Sequence, residues 1–315
     1  MLITIVGALL PIVITLLLGF VAAWHHDFDA GQATMLNRMV MLYALPLSLF
    51  AGMVGTNRSQ VLAQGPLAAA IVFGMLGTHA VVLLVNRWIV RRDLMTASLQ
   101  AMAIAGPAVP FVGVTVLGYL FGGMSTIPIA IASLVMNLVQ VPVSLVLLSL
   151  GATRRGGATR LKTAPRLMNH VYAALREPVV WAPVLALLFN LAGVQIPAPI
   201  RASLALLGQA TGGVALFASG IVLCSRRVAV NLPVVASTLA RNIIVPAVIW
   251  GSAVAVGLPS QLTREAVLTL AIPTASICVI LAIQYQAAEQ EMASTLFFST
   301  ILSPVTMGAF MWLMR

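Results

Sequence analysis

Hydrophobic residues in this 315-residue chain run in long unbroken blocks rather than alternating with polar ones. Ten such blocks follow one another, at 2–24, 33–54, 63–86, 95–121, 126–150, 179–195, 201–224, 231–257, 264–284 and 291–314. A helix of about 20 apolar residues crosses the roughly 30 Å hydrocarbon core of a bilayer. Lipid tolerates only helices or closed barrels, and the two-residue alternation of barrel strands is missing. The pattern therefore predicts ten transmembrane helices. Nothing basic precedes the first block, and its apolar run exceeds that of a cleaved leader, so it reads as a retained helix.

The fourth block is interrupted. AIAGPAVPFVGVTVLG, residues 103–118, carries Pro107 and Pro110 between Gly106 and Gly113. Each proline removes a backbone donor and clashes one turn back, at a cost of about 3 kcal/mol in a helix interior. Matching punctuation recurs about 162–172 residues later: Pro11 with Pro183, Leu49-Phe50-Ala51 with Leu216-Phe217-Ala218, Pro66 with Pro233, Pro107 with Pro273, and Pro142 with Pro304. Five helices thus find five partners in order. An odd number of helices per repeat forces the second copy to insert upside down. Inverted repeats with broken helices at corresponding places mark secondary transporters. The expected fold is an all-α polytopic membrane protein with ten transmembrane helices as a 5+5 inverted repeat, helices four and nine being broken and crossing. Its parts are a first repeat at 1–151, a basic loop at 152–177 and a second repeat at 178–315.

Composition excludes a water-soluble domain: 61% of residues are hydrophobic, 8% are charged, and mean hydropathy is +1.05. A net charge of +10 would suit nucleic acid, but its placement argues against that partner. Arg87, Arg91, Arg92, Arg154, Arg155, Arg160, Lys162, Arg166, Arg176, Arg226 and Arg227 fall on one side of a ten-span chain. Only Arg58, Arg201, Arg264 and Arg315 fall on the other. The positive-inside rule then puts 152–177 in the cytoplasm and both termini outside, in a bacterial plasma membrane. Contact of the basic loop with lipid headgroups is an alternative use of the same charge. Cys224 and Cys278 lack metal-type spacing, and HHDFD at 25–29 reads as an interfacial turn. No metal or cofactor is expected.

LNRMVMLYALPLSLF (36–50), ARNIIVPAVIW (240–250) and AIPTASICVILAIQY (271–285) stand in order with Pro107 and, six residues on, Gly113. Together they resemble the auxin efflux carrier family, which includes the plant PIN carriers and bacterial relatives assigned to malonate transport. The resemblance implies a ten-helix fold with a scaffold part and a transport part, a homodimer through the scaffold, and movement of small organic anions. Plant members usually place asparagine after the first crossover proline. Here Ala108 follows Pro107 and Thr274 follows Pro273, which points away from auxin and toward a smaller carboxylate.

Candidate chemistry lies at the breaks. A helix restarting in mid-membrane offers free N–H groups and a partial positive charge, which suit an anion. Pro107, Ala108, Val109 and Pro110 form one such end, and Pro273, Thr274, Ala275 and Ser276 the other. Polar residues of neighbouring spans could complete the site: Ser48, Asn137, Gln140, Gln209, Thr211, Ser299 and Thr300, each of which also reads as an interhelical hydrogen bond. Asn137 leads, because 30 residues separate it from the break. All seven acids, Asp27, Asp29, Asp93, Glu177, Glu265, Glu289 and Glu291, are expected in loops or at span ends. The ionisable groups within spans are Arg38, His79 and Arg241. Arg38 either snorkels or serves function, Arg241 either ties helix ends or serves function, and His79 is a packing residue or a proton carrier. With no carboxylate at mid-membrane to hold sodium, coupling is expected to use protons, through His79 or the substrate's own acid. A carboxylate sensor is the alternative to a carrier. An intramembrane enzyme lacks any nucleophile–base pair or metal cluster in the sequence.

Overall fold

Helix occupies most of every apolar block, and no strand occurs among the described residues. The computed structural model describes residues 2–55, 58–154, 176, 178–224 and 229–314; most of the expected basic loop, 155–175 and 177, lies outside them. The helices are α1 (Leu2–Trp24), α2 (Ala30–Gly55), α3 (Gly65–Ile89), α4 (Leu94–Ala105), α5 (Val114–Phe121), α6 (Thr126–Val135) and α7 (Val141–Arg154). After these come α8 (Pro178–Leu191), α9 (Ala198–Cys224), α10 (Leu232–Ala255), α11 (Ser260–Leu270), α12 (Ile277–Gln284) and α13 (Glu289–Leu313). A short helix, Arg58–Ala63, joins α2 to α3.

Side-chain caps start several helices. Asp29, from the HHDFD turn, accepts from the Gln32 N–H at 2.8 Å and donates its own N–H to Gln32 Oε1 at 2.8 Å, a reciprocal box that opens α2. Asp93 and Asn231 cap α4 and α10 in the simpler way.

Prolines shape the helix interiors without ending them. Wide turns, with one extra residue per loop of backbone, occupy Val40–Ala44, Met136–Gln140 and Ala240–Ile244. Each ends two residues before a proline: Pro46, Pro142 and Pro246. The widened loop removes the clash between a proline ring and the carbonyl four residues back, so the helix bends and continues.

Six segments among the described residues are helices long and apolar enough to cross a membrane, and α4, α8 and most of α1 are shorter apolar helices. One of the six, Val114–Ala152, runs for 39 residues. At 1.5 Å per residue it would measure about 58 Å, roughly twice a bilayer core. Gly122 divides it: its φ of +56° is a left-handed conformation that only glycine takes freely, and it ends α5 before α6 begins. Solvent-side exposure is apolar too. Phe73 is 77% and Leu232 82% exposed, which suits lipid and not water. The protein is an all-helical, polytopic integral membrane protein.

Two groups of helices pack side by side. In one, α1 lies on the second half of α9, while α2 packs on α8 and on the first half of α9. The α1–α9 crossing is backbone on backbone: a Cβ on Gly19 would stand 2.0 Å from the Phe217 carbonyl oxygen, and one on Gly220 2.1 Å from that of Leu16. Small residues permit this approach, which gives close packing in lipid. The other group joins α3, α4, α6, α7, α10, α11 and α13.

Candidate functional site

The two broken helices meet at their breaks. α4 ends at Ala105, and Gly106 turns extended with φ −95° and ψ 106°. After Pro107 and Ala108, the wide turn Val109–Gly113 leads into α5. α11 ends at Leu270, and α12 restarts at Ile277. Between them, the Ala108 N–H donates to the Pro273 carbonyl at 2.8 Å and the Ala275 N–H to the Gly106 carbonyl at 3.1 Å. These bonds make a short antiparallel bridge around Pro107 and Thr274. Proline has no N–H, so the pairing stops there.

Neighbouring side chains lock the bridge. The Thr274 N–H donates to Ser299 Oγ at 3.1 Å, and the Thr274 hydroxyl donates to the Ala103 carbonyl at 2.9 Å. Ser299 Oγ in turn donates to Asn242 Oδ1 at 2.7 Å, while the Asn242 amide donates to the Ser299 carbonyl at 2.9 Å. Arg241 lies behind the bridge, 0% exposed. Its Nη1 donates to the Ile104 carbonyl at 2.8 Å and its Nε to the Ile272 carbonyl at 2.8 Å, with Nη2 on the same oxygen. The Ile104 carbonyl lies in the last turn of α4 and the Ile272 carbonyl two residues past the end of α11, where the helix dipoles leave partial negative charge. One guanidinium therefore ties both ends, and no carboxylate pairs with it among the described residues. The tie reading of Arg241 is the one its geometry supports.

The donors expected to be free at the breaks are fewer than the sequence suggested. N–H groups of Ala108, Val109, Thr274 and Ala275 are all engaged within the crossing, because the two extended segments satisfy each other. Those of Ser276 and Ile277 have no acceptor among the described residues, at the start of α12. A cavity of about 10 Å³ adjoins Ser276, between the crossing, α1 and α9, lined also by Ala108, Pro273, Thr274, Ser219 and Thr300 among others. It is at the limit of what one water needs, so this cavity holds no larger solute in this structure.

The remaining expected residues divide between this cavity and others. Gln140 approaches the break: its amide donates to the Met75 carbonyl at 3.2 Å, its Oε1 is buried without a partner, and a Cβ on Gly106 would lie 3.5 Å from that oxygen. The Asn137 amide instead donates to the Ser133 carbonyl at 2.8 Å, one turn back on its own helix. Both sit in the wide turn Met136–Gln140, whose extra residue shifts the facing of side chains in a way regular spacing does not foresee. Pro110 lies within the turn after the first break. Thr211 is buried with its hydroxyl unpartnered. Ser48 and Gln209 line a different, larger pocket of about 580 Å³ between α2, α5, α6 and α9, together with Ser125, Thr126 and Arg201. Arg38 is exposed, and His79 is buried with neither ring nitrogen partnered.

Glu265 requires a correction. Expected at a span end, it sits inside α11 at 0% exposure, with Oε2 unpartnered and Oε1 accepting from the Gln261 amide at 3.3 Å. The cause is the start of α11 at Ser260, four residues before the expected span, which Pro259 permits from the preceding position. Arg201 was counted only as a loop charge, yet it stands at the mouth of the larger pocket. A lone basic residue one turn inside an apolar helix, after Pro197 and Pro199, was the available signal.

Comparison with known proteins covers the whole fold. Residues 4–311 match the family model described as "Membrane transport protein". The chain is 29% identical over 312 residues to "Uncharacterized transporter YfdV" of Escherichia coli K12, covering 98% of each. It is 22% identical over 315 residues to a protein of Rhizobium meliloti named "Putative malonate transporter", covering 99% of this chain and 96% of the other. "Auxin efflux carrier component 2" of rice is 24% identical over 140 residues, 42% of this chain and 22% of the rice protein.

Proposed function

From the premise that this chain belongs to the membrane transport protein family, whose matched members are transporters and not enzymes, we propose that it is a secondary carrier for a small organic anion. The substrate in this reading is a malonate-like carboxylate, moved by alternating access across a bacterial inner membrane. Ten spans form two inverted repeats, 1–151 and 178–315, joined by a cytoplasmic loop at 152–177, with both termini extracytoplasmic. The α1, α2, α8 and α9 group is the scaffold, through which two copies dimerise, and the other group with α5 and α12 is the moving part.

The observation that carries this reading is the bridged pair of breaks with Arg241 behind it. Two half-helices restart there, no acid stands in the crossing among the described residues, and a buried cation adds positive potential. A carboxylate would meet the Ser276 and Ile277 N–H groups once the cavity opens. The inverted repeat draws support from paired ties: Asn242 holds Ser299 in one half, and Gln140 holds Met75, which is 167 residues before Asn242, in the other. Malonate enters from the name of the Rhizobium relative. Protons drive the movement in this proposal, through His79 or the substrate's own acid.

Purified protein in liposomes tests the reading. Labelled malonate, with succinate, acetate and indole-3-acetate as competitors, is expected to accumulate when a pH gradient is imposed, with malonate the strongest competitor. Binding without flux would replace the carrier by a carboxylate sensor. Flux that follows a sodium gradient and ignores pH would overturn proton coupling.

A further inference from the structure

A pocket of about 580 Å³ lies between α2, α5, α6 and α9 and belongs to no step described so far. On α9 its lining is Ala198, Arg201, Ala202, Ala205, Gly208 and Gln209, one face of a helix at the spacing of successive turns. Eight residues separate Arg201 from Gln209, about 12 Å along the axis. Arg201 lies in the first turn of α9, toward the outer end, beside Gly55 at the end of α2, and Ser125 at the start of α6 also lines the pocket. At the inner end, Gln209 and Ser48 stand with Val114, the residue that follows the turn out of the first break. The pocket thus runs from one end of the bundle toward the crossing.

Among the described residues its chemistry has one sign. Arg201 is the one charged residue of the lining among them, and alanine and glycine provide most of the remaining α9 wall. The guanidinium lies over Gly55, where a Cβ would be 3.5 Å from Nη1, and makes no hydrogen bond or ion pair among the described residues. Gln209 is likewise exposed to the pocket and without a partner there. A planar cation with five donors is suited to a carboxylate, which it can hold by two parallel bonds. A carboxamide two turns deeper can take a second polar group of the same molecule.

We propose that this pocket is an antechamber that captures small carboxylate anions on Arg201 before they reach the crossing. The role on the transport path rests on the carrier reading above; the anion site itself does not. A cation in a low-dielectric cleft raises the local concentration of anions and their rate of entry by about 10-fold or more. Capture is set by charge and is uniform along the approach, so removing it should raise KM and leave the maximal rate.

Two measurements test it. In the first, Ala205→Cys is labelled in membranes with anionic and cationic methanethiosulfonates of similar size, with the unsubstituted protein as blank. The expected result is faster labelling by the anionic reagent, slowed by millimolar malonate, with the rate ratio falling at least about 5-fold when Arg201→Gln is added. A ratio that does not depend on residue 201 overturns the antechamber. In the second, liposome flux with substrate on the pocket side is expected to show KM raised about 10-fold in Arg201→Gln, maximal rate within twofold, and recovery in Arg201→Lys. Unchanged KM in the presence of wild-type flux also overturns the proposal. Charge-selective labelling in a protein that moves no carboxylate would leave the anion site standing and remove the carrier reading instead.

Discussion

Arg241 and Glu265 are both wholly buried ionisable side chains, and their surroundings assign them opposite consequences. Arg241 satisfies two helix-end carbonyls at once. Arg241→Gln leaves one or both without a donor, at about 1–3 kcal/mol for each unsatisfied buried group. The expected outcome is a protein that inserts but melts several degrees lower in detergent, followed by thermal-shift fluorescence, with Arg241→Lys intermediate because an ammonium cannot span both ends. Glu265 has an unpartnered oxygen and makes no ion pair among the described residues. Glu265→Gln keeps its shape and removes the burden of a buried charge, so the melting temperature is expected to hold or rise. A drop of several degrees would reveal an ionic role for that carboxylate. At this scale the sequence was only half legible. Arg241 could be picked out because a cation inside an apolar block is costly wherever it points. Which of Asn137 and Gln140 turns toward the break was harder to read, since it depends on the wide turn that precedes Pro142.

Elements were more legible than residues. Apolar block length and proline position located nearly every helix, because lipid leaves a chain few alternatives to helix. The start of α11 at Ser260 was missed, since its first turns, SQLTRE, are polar and read as loop. Packing partners could not be read at all. The glycines of the α1–α9 crossing, Gly19 and Gly220, look like any others until the opposing carbonyls are placed 2.0 and 2.1 Å from a would-be Cβ. Gly220→Val is therefore expected to separate α1 from α9 and to reduce the yield of monodisperse protein on size exclusion, whereas Gly77→Ala, with open space at its Cβ, should behave as the parent. Equal yields from the two variants would show that the crossing adds little to stability.

The whole molecule joins two distant parts of the chain, and the juxtaposition of Pro107 with Thr274 is its central feature. The sequence led us to expect breaks at Pro107 and Pro273, and the structure brings the two segments together through the Ala108 and Ala275 N–H groups. Topology is testable apart from transport. Gly123→Cys, in the turn between α5 and α6, is expected to react with membrane-impermeant maleimide added outside intact cells, and labelling only after lysis would invert the orientation. The account as a whole depends on the breaks. Alanine at residue 107 or 273 restores a backbone donor and can favour a continuous helix by about 3 kcal/mol, which removes the paired half-helix ends. The most direct measurement is malonate uptake into liposomes by Pro107→Ala and Pro273→Ala beside Pro197→Ala, which lies in the turn before α9. The account predicts folded protein in all three, uptake at least about tenfold lower in the first two, roughly 1.4 kcal/mol, and near-normal uptake in the third. Wild-type uptake by both crossover variants would contradict it.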